Sequence, residues 1–229
     1  ATIRRQRQMC IRDRYQPDRK HKFMFTTRPE LVGTFGMVSS THWLASSAGM
    51  AMLEKGGNAF DAAVAAGMVL QVAEPHLNGP GGDLPLILHR TGSEKMEVIC
   101  GQGPAPAGAT LKHYKNLGLD LVPGTGLLAT VIPGAFDAWM LMLRDHGTLS
   151  LAEVFEPALH YASQGIPVLE RIQKTISYVQ QLFREEWPSS AEVFLPGNEV
   201  PEVNQLLCNP VLAKTWSRII RESEAVSGS

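Results

Sequence analysis

Apolar residues recur along much of the chain at helical spacing, in segments separated by glycine and proline. The first segment predicts a helix with Ser40 or Thr41 as its N-cap and the pair Gly56 and Gly57 at its end. Asn58 is predicted to cap a second helix, with Asp61 in the first turn, where a carboxylate interacts favourably with the helix dipole. Because this second helix is rich in Ala and Gly on several faces, we expect it to be buried and packed tightly on a sheet.

The pattern further along predicts one hairpin followed mainly by helices. Two short apolar runs, LPLILH and KMEVIC, are separated by a turn and predict a β-hairpin. A short helix is expected at TLKHYKNLG, and a buried extended segment at GLLATVIPG. Three more helices are predicted at 135–145, from the Ser150–Glu153 capping box to Gly165, and at 169–185, and a last one begins at Asn209 and Pro210.

The stretch EPHLNGPGGD, residues 74–83, has the glycines of a phosphate-binding loop but stands in the opposite order. A phosphate loop leads from a strand into a helix, whose free N–H groups bind the anion. Here a predicted helix precedes the glycines and a strand follows, so the helix end that meets them is the partially negative one. We therefore predict a helix-to-strand reversal whose glycines adopt positive φ and allow close backbone approach.

Composition is that of a soluble globular protein of one large domain or two small ones, with 44% hydrophobic and 19% charged residues among 229. No apolar run approaches the roughly 18 residues that a membrane span needs. The three cysteines, Cys10, Cys100 and Cys208, are far apart without CxxC spacing, which argues against a zinc site or a disulfide framework. His42, His76, His89, Glu74 and Asp83 also lack metal-ligand spacing, so no metal or other cofactor is predicted.

Charge is distributed unevenly along the chain. Residues 1–22 contain eight Lys and Arg against two Asp, while the rest of the chain carries a net charge of −7. This basic arm has neither the apolar core of a signal peptide nor a helical apolar stripe, and RQRQMCIRD resembles translated sequencing-adapter read-through. We expect residues 1–22 to be disordered or foreign to the protein, with no nucleic-acid partner. The absence of a signal peptide favours a cytoplasmic over a periplasmic location.

Residues 23–229 resemble the N-terminal part of the γ-glutamyltranspeptidase family. The resemblance covers about residues 34–221 and lies in MVSSTHWLASSAGMAMLEKGGNAFDAAVAA, EPHLNGPGGD, APAGAT and VIPGAFDAWMLMLRDHGTLSLAEVFEPALHYASQGIPV. It implies an α+β fold, a partial αββα sandwich of the N-terminal-nucleophile hydrolase type, in its large-subunit half. It also implies a precursor that cuts itself, so that an N-terminal threonine of the small subunit attacks a small-molecule amide substrate.

The same resemblance places the catalytic threonine beyond Ser229, so no catalytic residue is assigned within this chain. Thr41, Thr110, Thr125 and Thr130 do not match the position of that nucleophile. The small subunit made from the same precursor is the partner that the resemblance implies. We expect the isolated chain to be inactive, as the large-subunit fragment of a γ-glutamyltransferase-like or glutathione hydrolase-like enzyme.

One position departs from the family pattern. Typical γ-glutamyl enzymes of the family have an arginine after the second hairpin strand, where it pairs with the substrate α-carboxylate. The aligned residue here is Gln102, in GQGPAP, which is more similar to acylase-like and oxamate-amidohydrolase-like branches. Gln102 is therefore the candidate substrate-binding residue, and the substrate is in question. An acylase or amidohydrolase with a non-γ-glutamyl substrate, and a non-catalytic α/β binding domain, stay open as alternatives.

Overall fold

The computed structural model describes residues 31–227. The basic arm predicted at residues 1–22 lies outside the described residues. The chain divides into two units, one up to Phe35 and one from Gly36 onward. All the described helices and strands belong to the second unit.

Two helices begin the second unit, each with a side-chain cap at its start. Helix α1 spans Trp43–Glu54, and its N-cap is His42, whose Nδ1 accepts a hydrogen bond from the Leu44 N–H at 3.2 Å. The prediction of Ser40 or Thr41 as the cap was wrong, because the hydroxyl groups of both residues donate to other acceptors. Gly56 at φ 92° ends the helix where the sequence predicted.

Helix α2, Ala59–Ala73, is buried along most of its length. The predicted Asn58 cap is confirmed, and Asn58 and Asp61 form a reciprocal capping box. The glycines let other helices approach closely: a Cβ at Gly67 would stand 2.5 Å from the Trp139 ring. The helix packs chiefly against other helices rather than on the expected sheet, because the described residues supply only short strands.

The predicted hairpin is formed by strands β1, Leu84–His89, and β2, Met96–Gly101. They pair antiparallel, with Leu84 opposite Gly101. Leu86, Leu88 and Ile99 pack into the core from one face. The other face is also apolar but exposed, since Ile87 is 74% and Val98 70% solvent-accessible. This exposed face is called the outer hairpin face below.

The segment after the hairpin differs in part from its prediction. The short helix is present as α3, Leu111–Asn116, with the Thr110 hydroxyl as its cap. The segment expected to be buried and extended instead contains a 3₁₀ turn, Leu127–Ala129, and Leu127 is 92% exposed. The segment is apolar, which is why burial was expected, but no described residue covers Leu127.

The C-terminal half is helical and completes the core. Four predicted helices are confirmed: α4, Ala135–His146; α5, Leu151–Gln164; α6, Glu170–Glu185; and α8, Pro210–Ser227. A short helix that the sequence did not predict, α7, Pro188–Phe194, lies between α6 and α8. Two strands of two residues each, which the sequence did not predict, also pair antiparallel: β3, Ile166–Pro167, with β4, Leu206–Leu207.

Helices α5 and α8 close the main core around α2. Phe155 and Trp216, both fully buried, meet edge to face with ring centroids 5.7 Å apart. A smaller core joins α6 to α7 around Ile172 and Ile176. No helix within residues 31–227 is long and apolar enough to cross a membrane.

Candidate substrate-binding site

The Gly-rich turn, residues 74–83, connects the end of α2 to the start of β1, which confirms the predicted helix-to-strand reversal. Asn78 Nδ2 donates to the carbonyls of Leu70 and Glu74, both at 3.2 Å, and so caps the end of α2. The prediction of positive φ at the glycines was wrong, because the left-handed glycines of the described chain lie elsewhere. A Cβ at Gly79 or Gly81 would meet nothing within 4 Å, so these glycines leave open space.

The GQG loop, Gly101 to Gly103, follows β2 and is held by close backbone packing. Gly103 has φ 77°, and a Cβ there would lie 1.8 Å from the Ile132 carbonyl oxygen. A Cβ at Gly134 would lie 2.6 Å from the Gly101 carbonyl oxygen. The Ile132 N–H donates to the Pro104 carbonyl at 3.0 Å. Only glycine permits this crossing of two backbones, so the path of the loop is tightly determined.

A third segment meets the same crossing. The Ala135 N–H, at the start of α4, donates to the Gly82 carbonyl at 3.2 Å. The Gly-rich turn, the GQG loop and the IPG segment, residues 132–134, which the sequence separates widely, thus converge at the open end of the hairpin. This convergence is the candidate site.

Gln102 lies on the loop directly after β2, and its side chain is exposed. Its Oε1 accepts a hydrogen bond from the Cys100 thiol at 2.9 Å. Among the contacts of residues 31–227, none engages its amide nitrogen, which can therefore donate to a ligand. That Gln102 binds substrate stays a prediction.

A buried carboxylate at the root of the Gly-rich turn was missed by the sequence analysis as an interacting group. Glu74 is only 1% exposed and accepts hydrogen bonds from the Thr41 hydroxyl and from the Arg171 guanidinium. No local pattern indicates this contact, since Arg171 stands 97 positions further along on α6. The ion pair links the end of α2 to the first turn of α6, and the hydrogen bond from Thr41 adds the segment just before α1.

Two histidines flank this ion pair. Burial lowers the pKa of His42, with the Glu74 carboxylate opposing and Arg171 adding to the decrease. Burial, followed by Arg171, also lowers the pKa of His76, against the effect of Glu74. Both are therefore neutral imidazoles near neutral pH. Within the described part of the chain, no group of three or more His, Cys, Asp or Glu residues could hold a metal ion.

Solved structures share this fold. LmbA2991HD is 60% identical with a TM-score of 0.84, and the match covers 87% of this chain and 34% of that one. The γ-glutamyltranspeptidase of Helicobacter pylori is 29% identical with a TM-score of 0.78, covering 84% of this chain and 56% of that one. The fold is therefore the α+β fold of N-terminal-nucleophile hydrolases, as the family resemblance implied.

Sequence comparisons identify the family. The glutathione hydrolase-like YwrD proenzyme of Bacillus subtilis (strain 168) is 35% identical over 85% of this chain and 37% of its own length. The acylase ACY 1 proenzyme of Pseudomonas sp. (strain V22) is 38% identical over 86% of this chain and 37% of its own length. The family model for γ-glutamyltranspeptidase matches residues 45–226. The chain belongs to the γ-glutamyltranspeptidase family.

The chain spans little more than a third of the length of these two curated relatives. Both relatives are named as proenzymes, that is, as precursors that must be processed. The enzyme names among the similar proteins do not favour the alternative of a non-catalytic binding domain.

Proposed function

We propose that the complete protein is an amide hydrolase or acyltransferase that matures by cleavage of a precursor, and that this chain is part of its large subunit. The catalytic group is an N-terminal threonine in the rest of the polypeptide. A threonine hydroxyl needs a nearby base to become a nucleophile, and the new α-amine of the cleaved chain supplies one. The proenzyme names of the relatives and the shared fold support this proposal.

The observation that carries the substrate assignment is the position of Gln102 on a rigid loop. The backbone crossing at Gly103 and Gly134 holds the loop, while the Gln102 side chain remains exposed at the mouth of the hairpin. A preorganised loop is a suitable place for a substrate-binding side chain, because little entropy is lost when the ligand binds.

Gln102 presents a neutral amide, whereas an arginine would present a charged, bidentate fork. Such a fork is worth roughly 1–3 kcal/mol more against a carboxylate. The native substrate therefore depends less on a free α-carboxylate than a γ-glutamyl compound does. This favours an acyl group of the acylase or amidohydrolase kind over glutathione.

The outer hairpin face supports the assignment of a partner subunit. Isolated antiparallel sheets expose polar residues on their solvent side, but here Ile87 and Val98 are exposed as a directly opposed pair. The remainder of the same precursor, the small subunit, covers this face in the complete enzyme. Its contribution completes both the sandwich and the active site.

The test is made on the full-length protein. Self-cleavage is followed by electrophoresis, and kcat/KM is measured on γ-glutamyl anilide and on anilides of neutral acyl groups. We expect wild type to favour the neutral acyl groups and Gln102→Arg to raise kcat/KM for the γ-glutamyl anilide about tenfold to a hundredfold. Gln102→Met, of similar length but without the amide, is the control and should not give this gain.

Two results would contradict the proposal. Absence of both precursor cleavage and amide turnover would remove the enzymatic assignment. A folded Gln102→Arg protein with unchanged kinetics on both substrate classes would show that Gln102 is an ordinary loop residue. Circular dichroism of each variant checks that the comparison is made between folded proteins.

A further inference from the structure

Asp83 and Gln102 both lie at the open end of the hairpin, beyond the last residues of the two strands. The last pair of the register joins Leu84 to Gly101, so Asp83 directly precedes this pair and Gln102 directly follows it. The Cys100 thiol, near the end of β2, donates a hydrogen bond to the Gln102 side chain at this end of the hairpin.

The Asp83 carboxylate is available to a ligand. Its side chain is exposed, and no hydrogen bond or ion pair within residues 31–227 engages it. The preceding glycines leave access, because a Cβ at Gly81 would meet nothing within 4 Å. The mouth of the hairpin thus presents one anionic acceptor, Asp83, beside one neutral donor, the amide of Gln102.

We propose that Asp83 is a second specificity-determining residue of the site, which binds an ammonium or a similar cationic donor on the acyl group of the substrate. This inference rests on the proposed function and deepens it. A carboxylate attracts a cation and repels an anion, and a charge-assisted hydrogen bond is stronger than a neutral one. Together with Gln102, Asp83 therefore selects acyl groups that carry an amine and lack a carboxylate.

Three anilides separate these effects in the full-length protein: γ-aminobutyryl, butyryl and glutaryl anilide, which share the unit CO–(CH2)3 and carry an ammonium, a hydrogen and a carboxylate at its end. Wild type is expected to use them in that order of kcat/KM. Asp83→Asn keeps the shape of the side chain but removes its charge. It should lower kcat/KM for the γ-aminobutyryl anilide about tenfold, leave butyryl anilide within about twofold, and raise glutaryl anilide.

Glu94→Gln is the matched control, since Glu94 is an exposed carboxylate in the turn at the other end of the same hairpin. It should leave all three substrates unchanged. An equal loss on all three substrates in Asp83→Asn would show a structural role and overturn the proposal, as would no change at all. A Glu94→Gln protein that reproduces the Asp83→Asn pattern would also overturn the proposal, because the effect would then come from general surface charge.

Ligand binding keeps the proposal testable if no turnover is seen. Calorimetry with γ-aminobutyramide and butyramide measures the binding of the acyl part without any chemical step. Wild type should bind γ-aminobutyramide about tenfold more tightly, and Asp83→Asn should lose that preference. Binding with this preference but without turnover would mean that only the catalytic assignment fails, whereas equal or absent binding of both amides would overturn the assignment of Asp83.

Discussion

The Asp61 carboxylate accepts hydrogen bonds from Thr148, through the backbone N–H at 2.9 Å and the hydroxyl at 2.7 Å. The Leu149 N–H adds a further bond at 3.2 Å, and Asp61 is fully buried. The residue that the sequence placed in the first turn of α2 for its interaction with the dipole therefore also binds the turn between α4 and α5. Asp61 thus takes part both in the capping box of α2 and in a tertiary contact.

We expect Asp61→Ala to lower the free energy of unfolding of the complete protein by about 3 kcal/mol, because several buried donors lose their acceptor. Denaturant titration monitored by tryptophan fluorescence measures the change. Asp137→Ala, which removes an exposed first-turn carboxylate from α4, is the control and should cost less than about 1 kcal/mol. Equal losses in the two variants would show that the tertiary bonds of Asp61 contribute little.

Gly103→Ala should lower kcat/KM of the complete enzyme by at least about tenfold, since the new Cβ forces the GQG loop away from Ile132. Gly92→Ala provides the control. Gly92 has a similar φ of 81°, but a Cβ there meets nothing within 4 Å, so it tests the backbone strain alone. Steady-state kinetics of the two variants separate close approach from strain, and similar kinetics in both would argue against the crossing as a support for the site.

Arg171→Met should destabilise the protein by about 1–3 kcal/mol, because it leaves the Glu74 carboxylate buried without its cation, although solvent around the exposed guanidinium already weakens the pair. The double variant Arg171→Met with Glu74→Gln should recover much of the loss, since a neutral amide needs no cation. Denaturant titration of the single and double variants forms the test. Lys174→Met, from the exposed pair with Glu170, should cost less than about 1 kcal/mol.

Stability should fall as the pH decreases below about 6.5, the ordinary pKa of histidine. The lowered pKa values of His42 and His76 mean that the unfolded chain binds protons more readily than the folded one in this range. The contribution of the two neutral histidines to stability is complete above that pH and is lost as the pH falls towards their lowered pKa values in the folded protein. His42→Asn keeps a capping acceptor but does not titrate, so its unfolding free energy should depend less on pH. An unchanged pH dependence in a variant that replaces both histidines would contradict this prediction.

Residues 23–229 expressed alone should aggregate and bind a hydrophobic dye, because the outer hairpin face is exposed and, within residues 31–227, no further strand pairs with either edge of the hairpin. Replacing Ile87 and Val98 with threonine should reduce dye binding while keeping β propensity. The same pair of changes should weaken association of the subunits in the complete enzyme, as measured by gel filtration. A monomeric wild-type fragment with a sharp, reversible melting transition would contradict the prediction.

Local signals in the sequence were sufficient for most helices and for the hairpin. The capping boxes at Asn58 and Ser150 and the stops at Gly56 and Gly165 act within a few residues, so the sequence contains them completely. The exposed 3₁₀ turn at Leu127 was not predictable in this way. Its apolar pattern indicates burial, but burial depends on which other residues are present to cover it.

The candidate site depends on longer distances. Gln102 was found through its place in a family pattern, whereas the hairpin that brings Asp83 to the same end follows only from the pairing of the two strands. The pair of Glu74 and Arg171 joins elements that are far apart in the sequence, and neither residue has a local signal for the other. Packing of one helix against another decides such contacts, which local propensity does not encode.

The open surroundings of Gly79 and Gly81 make the Gly-rich turn a suitable place for a spectroscopic reporter. An added side chain at either position meets no neighbour within 4 Å in the described chain, and neither glycine has a left-handed backbone. A single introduced cysteine can therefore be labelled there with a small fluorophore with little disturbance of the fold. Its emission would respond to anything that enters the mouth of the hairpin beside it, so that occupancy could be followed in real time.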